Sequence, residues 1–128
     1  MKYLLTFVLM VLFTTANSQN VKLVQNDGQR RVDVLIGDKL FTSYQYPVNQ
    51  EKPYLFHLYA PNGSVVTRGY PVEPRKGERV DHPHHIGLWF NHGSINGLDF
   101  WNNSSAIAAD KKDSYGHISV QKILKAES

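Results

Sequence analysis

The chain has 128 residues, 14 Lys+Arg against 11 Asp+Glu, six His and no Cys. At a domain size of about 150 residues that is one domain, and a multidomain enzyme is excluded. Charged residues at 20% and aromatics at 12% describe a globular body, and a formal charge of +3 is too small and dispersed to argue for nucleic acid.

Met1 to Ser18 read as a secretory signal. Lys2 is the positive start, Leu4 to Phe13 the apolar run, and Ala16 and Ser18 the small residues of a cleavage site. The run is shorter than the roughly 20 residues that a membrane span needs, so no stable membrane span is expected. Cleavage after Ser18 removes 18 of the 128 residues and leaves 110. A secreted or periplasmic bacterial protein is the expected setting. Export without cysteine leaves stability to the core, a metal or a partner, and excludes thiolate chemistry.

The rest reads as strands. Val32, Val34 and Ile36 alternate with Asp33 and Leu35, and Leu40 to Tyr46 follows after Gly37-Asp38, which predicts a hairpin. Tyr54 to Tyr59 is a further strand with bulk on both faces. Pro61-Asn62-Gly63 is a turn, and Ser64 to Arg68 resumes extended structure. Ile86 to Asn91 and His117 to Leu124 are the remaining strands, with a short helix or loop over Ser104 to Lys112. Many short strands and no helical stripe predict an all-β fold, an antiparallel β-sandwich.

The unusual chemistry lies in one stretch. Four of the six histidines, His82, His84, His85 and His92, fall within eleven residues, beside Asp81, Trp89 and Asn91. Pro83 favours extended backbone at His82, so His82 and His84 are expected to converge while His85 points away. His85, Gly87, Trp89 and Asn91 would share one face, and Ile86, Leu88 and Phe90 the core face. Gly87 would leave room for a substrate to approach the backbone.

Three uses of these imidazoles stand open. His82 and His84, with Asp81, His92 or Asp99, could hold a divalent metal such as Zn²⁺. His82, His84 and His85 could act as metal-free acid–base groups, with Asp81 orienting a ring. They could also only satisfy the backbone of a polar turn. Trp89 is a core residue or a platform for a sugar ring. Asn91 and His92 are candidate ligand contacts. Arg68, Arg75, Lys76 and Arg79 form either a solvated charged loop or a site for a carboxylate or phosphate, with Arg68 and Arg79 the candidates. His57 reads as packed, and His117 has no assigned role.

Several blocks together resemble a known family. They are Lys52-Pro53-Tyr54-Leu55, Leu58-Tyr59-Ala60-Pro61-Asn62-Gly63, Val66-Thr67-Arg68-Gly69, Asp81-His82-Pro83-His84-His85, Gly87-Leu88-Trp89-Phe90 and Asp99-Phe100-Trp101. The chain resembles, from about Val32 to Tyr115, the secreted bacterial proteins commonly labelled methane oxygenase PmoA. Membrane-bound methane oxidation needs several apolar spans, and none follows the signal. The resemblance therefore implies a β-sandwich of the kind found in sugar-processing proteins, exported by polysaccharide-degrading bacteria. Its partner would be a carbohydrate or other small molecule, and its activity that of a lyase, hydrolase or epimerase, or else non-catalytic glycan binding. Relatives often carry Arg after the position of His85, where this chain has Ile86. They are also longer, so residues 19–128 are expected to be the N-terminal portion of a larger sandwich.

Overall fold

The computed structural model describes residues 19–127. The export signal read over residues 1–18, and Ser128, lie outside the described residues. The class is all-β: antiparallel strands, with two short 3-10 turns, Asp27–Gln29 and Ala109–Ser114, as the helical pieces among the described residues.

Four strands form one antiparallel sheet in the order β1 (Val21–Asn26), β2 (Arg31–Ile36), β3 (Lys39–Gln45), β4 (Tyr54–Leu55). The expected hairpin is β2–β3, with Ile36 opposite Lys39. Gly37 and Asp38 both take positive φ, 55° and 61°. Two left-handed residues make the turn whose twist matches that of the flanking strands, and Gly and Asp are residue types that tolerate it. Beyond the turn, a bulge between Val34 and Leu35 shifts the register.

β1 has no alternating pattern to announce it. It is an edge strand with Val21 and Val24 exposed, paired from Val21–Ile36 to Asn26–Arg31. The Asn26 side chain accepts from the Gln29 amide at 3.2 Å, and Arg30, at φ 49°, reverses the chain into β2.

The strand expected over Tyr54–Tyr59 is regular for two residues only. Past Leu55 the chain still follows β3, through Phe56 N–H to Ser43 C=O and Tyr59 N–H to Phe41 C=O, each 2.9 Å. The turn expected at Pro61-Asn62-Gly63 is present, closed by Gly63 N–H on Ala60 C=O at 2.8 Å. The return segment is extended as expected, with Val65 bridged to Tyr59.

Two other expected strands do not form. Ile86–Asn91 contributes one bridge, Leu88 with Leu55, made by hydrogen bonds of 2.7 and 3.0 Å. Gly87 has φ +50°, which breaks the two-residue alternation. Ile86 is buried as expected, but Leu88 is exposed and Phe90 is 96% exposed. Residues 117–124 form no ladder among the described residues. They are held by Ile118 N–H on Glu51 C=O and by Arg30 on the Val120 carbonyl.

A ribbon that the strand reading omitted pairs β5 (Ser94–Ile95) with β6 (Leu98–Asp99). Its turn is Asn96-Gly97, both at positive φ. The hydrophobic centre is Tyr54, Phe56 and Ile86, with Trp89 packed against it. Burying side chains of this size stabilises by about 1.5–3 kcal/mol each. This centre forms the floor of the histidine segment.

Candidate functional site

The segment Asp81–His85 is a tight turn rather than extended chain. His82 has φ +51°, a conformation that His adopts more readily than most residues, and the His85 amide donates to the His82 carbonyl at 2.9 Å. Three imidazoles therefore come together. His82 stacks on His85 with ring centroids 4.9 Å apart, His84 meets His85 edge-on at 4.3 Å, and His82 and His84 are 5.7 Å apart. The expectation that His85 points away is corrected, because the left-handed residue at 82 turns the chain back on itself.

Arg68 staples this turn. One guanidinium nitrogen donates to the carbonyls of Asp81 at 2.8 Å, His82 at 2.7 Å and His85 at 3.4 Å. The other meets the Asp81 carboxylate at 3.2 Å. Its donors are directed at the protein, so the role expected of Arg68 as a ligand contact becomes that of holding the loop. Arg75 is used in the same way, on Thr67 C=O and the Glu78 carboxylate. Glu78 in turn accepts from the amides of Gly69, Tyr70 and Arg75. The Gly69 amide leads the interactions that hold its pKa below the usual carboxylate value.

Asp81 faces His82 Nδ1 at 3.2 Å and the exposed Arg79 at 2.9 Å. Desolvation pushes its pKa up, but Arg79, His82 and Arg68 together outweigh this and hold it low. Burial pushes His84 and His85 below the ordinary histidine value. Positive neighbours add to it: His85, Lys52 and His82 on His84, and His82, Arg68 and Lys52 on His85. Both rings are consequently neutral at pH 7, each able to donate from one nitrogen and accept at the other.

Two indoles stand beside His85. Trp89 is 5.3 Å from it, Trp101 6.3 Å and edge-on, and the two indoles are 5.4 Å apart. Trp89 is mostly covered, and its Nε1 is buried without a partner. Trp101 is 41% exposed. The exposed indole is thus Trp101 rather than Trp89.

Lys52 lies beneath this panel and is 2% exposed. Its Nζ donates to the carbonyls of Phe100 at 3.3 Å and Trp101 at 2.8 Å, and sits 5.5 Å from the Trp89 ring centroid. Sequence reasoning assigned it nothing, since a lysine before a proline reads as a surface loop residue. Its contacts come from a segment about fifty positions away.

Other expected contacts sit differently. Asn91 Nδ2 donates to Phe100 C=O at 2.5 Å. His92 is exposed, with Nδ1 3.0 Å from Ser94 C=O, and faces the β5–β6 ribbon rather than the other three rings. The space expected at Gly87 is filled, because a Cβ there would lie 2.2 Å from the Leu55 carbonyl oxygen. Ile86 packs with Tyr54 and Phe56. His117 is paired with Glu51 at 3.1 Å. Among the described residues, no three or more His, Asp or Glu side chains are grouped so as to hold a metal ion.

The resulting surface offers imidazole hydrogen-bonding groups beside an exposed indole, over a buried ammonium. It is shallow. One hollow of about 280 Å³ lies along Ile36, Phe41 and Tyr59, and another of about 190 Å³, between Tyr46 and His117, has Lys52 in its wall.

No curated protein and no solved structure matches the chain. One sequence family does, described as a family of unknown function (DUF6807), over residues 31–128, which takes in every residue of the site, and the chain belongs to that family.

Proposed function

We propose that this protein engages a carbohydrate across Trp101 and the His82–His84–His85 cluster, and processes it by acid–base chemistry of the lyase, hydrolase or epimerase type. One observation carries this reading: His85 lies against His82 and His84 on one side and within about 6 Å of both indoles on the other. An indole face matches the apolar face of a pyranose, while neutral imidazoles can donate to and accept from its hydroxyls. Neutral rings near pH 7 are also the form a general base requires. Asp81 orients the His82 ring.

The exposure of the Trp101 indole, 41%, favours a second reading, a glycan-binding module without turnover. The test is incubation of the full chain with a panel of neutral and acidic polysaccharides. Tryptophan emission reports binding, and new reducing ends, new double bonds or epimerised sugars report chemistry. Trp101→Ala should abolish binding, and His84→Ala with His85→Ala should abolish turnover. Binding without turnover selects the second reading, and neither on any polysaccharide refutes both. A divalent ion on His82 and His84 is tested by chelation: lost turnover, restored by Zn²⁺, assigns the chemistry to a metal, and an unchanged rate assigns it to the imidazoles alone.

Export belongs to the same proposal. It rests on Lys2, the run Leu4–Phe13, and Ala16 and Ser18. N-terminal sequencing of the protein from its host should begin at Gln19, and an intact Met1 refutes it. Among the described residues no helix is long and apolar enough to cross a membrane. The likeness to proteins labelled methane oxygenase enters this proposal only as a likeness of sequence blocks, and the chemistry is assigned from the His and Trp residues.

A further inference from the structure

We propose that Lys52 is the positioning residue of the aromatic platform: sealed beneath Trp89, it holds the Phe100–Trp101 backbone so that Trp101 stands beside His85. The proposal rests on the reading of Trp101 and His85 as the ligand surface. Two carbonyls in succession accept from one ammonium, at 3.3 and 2.8 Å, and both belong to the segment that presents Trp101. The same nitrogen lies over the Trp89 ring, so one group ties both indoles together. Lys52 does this from the residue next to Pro53, adjoining β4, whose Tyr54 belongs to the buried centre. The platform is thereby referred to the most buried part of the molecule.

A charge in that position is costly unless it is paired or hydrogen-bonded, as it is here by the two carbonyls. A methionine would fill the volume, but could not reach the two carbonyls with a donor. Burial pushes Lys52 down to about 8, against the upward pull of Asp99 and Glu51. His84 and His85 are the other titratable groups that feel its charge, and both are already neutral at that pH. His117 lines the same hollow as Lys52. Loss of the ammonium charge above pH 8 should therefore loosen Trp101 and change the emission of Trp89.

The experiment needs no ligand, so its failure is separable from failure of carbohydrate binding. Acrylamide quenching is measured on Trp101 in a Trp89→Phe background, and emission against pH on Trp89 in a Trp101→Phe background. In wild-type Lys52 chains, Trp101 quenching should rise about twofold through a midpoint near pH 8, as two charge-assisted bonds weaken. Trp89 emission should step at the same pH. In Lys52→Met, quenching should be high at pH 7 and both pH steps absent, while Lys52→Arg should keep quenching low past pH 9. A folded Lys52→Met chain with wild-type quenching and an unchanged step overturns the proposal. Should Lys52→Met fail to fold, the Lys52 chains decide alone, and quenching that stays flat from pH 7 to 9.5 overturns it.

Discussion

Replacing Arg68 with Met removes the staple from the turn that gathers the histidines. Two of its bonds, to the carbonyls of Asp81 at 2.8 Å and His82 at 2.7 Å, are short and charge-assisted. Bonds of that kind contribute about 1.5–3 kcal/mol each. Arg68 is 28% exposed and His82 55%, so water can reach the freed carbonyls and roughly half of that is recovered. The contact to His85 C=O at 3.4 Å adds little, and the ion pair to the solvent-screened Asp81 carboxylate adds little more. The net loss is about 1.5–3 kcal/mol. For a chain of this size it should lower the melting temperature by about 6–15 °C. Urea unfolding followed by tryptophan emission measures it, as a reduced midpoint with an unchanged slope. Arg68→Lys should recover less than half, since one ammonium cannot span the same acceptors. An Arg68→Met chain within about 0.5 kcal/mol of wild type would refute the staple and leave the turn to its own backbone preferences.

Three further outcomes follow from the same geometry. Gly87→Ala forces a Cβ to 2.2 Å from the Leu55 oxygen at φ +50°, which should break the Leu55–Leu88 bridge and cost about 3 kcal/mol; an unchanged melting temperature would count against that packing. Ile86→Ala should cost about 2–4 kcal/mol in the same urea assay, because the side chain is 2% exposed between Tyr54 and Phe56; a loss below about 1 kcal/mol would mean the centre lies elsewhere. His84 and His85 titrate below their unfolded value of 6.5, so the unfolded chain binds more protons between the two values. Their contribution is full above pH 6.5 and is lost as pH falls through the folded pKa values. Paired replacement by Asn should flatten the slope of stability against pH below 6.5, and an unaltered slope would contradict the assignment.

What could be read from the sequence was the chemistry that acts over a few residues. Gly37-Asp38 set a turn whose strands followed, and the Pro61-Asn62-Gly63 turn did the same. Asn96-Gly97 carried an equally strong hairpin signal, but the strands it joins are two residues each and leave no pattern to see. The histidine cluster was legible as a local density, and its arrangement was not. Extended geometry at His82 was the natural inference from Pro83, yet Arg68, fourteen positions earlier, stabilises a left-handed residue there. Gly87 reversed the faces beyond it in the same way, putting Trp89 rather than Leu88 against the buried centre. Lys52 was invisible because nothing near it in sequence marks a lysine for burial. Its partners are carbonyls, which every residue possesses.

The pairing pattern of the sheet bears on the order in which the molecule forms. β1 to β4 pair only with their neighbours in sequence, so each strand closes a short loop onto a ladder already present. The histidine segment joins that ladder at a single point, where Leu88 meets Leu55 across 33 intervening steps of chain. Local closure precedes long closure, since the entropy lost grows with the loop. The sheet is therefore expected to close before the histidines meet, and their surface to open ahead of it. Amide protons of β2 and β3 should then outlast those of residues 82–101 in hydrogen exchange by a wide margin. Substitutions in the histidine turn can therefore erase the surface while the sheet beneath it persists.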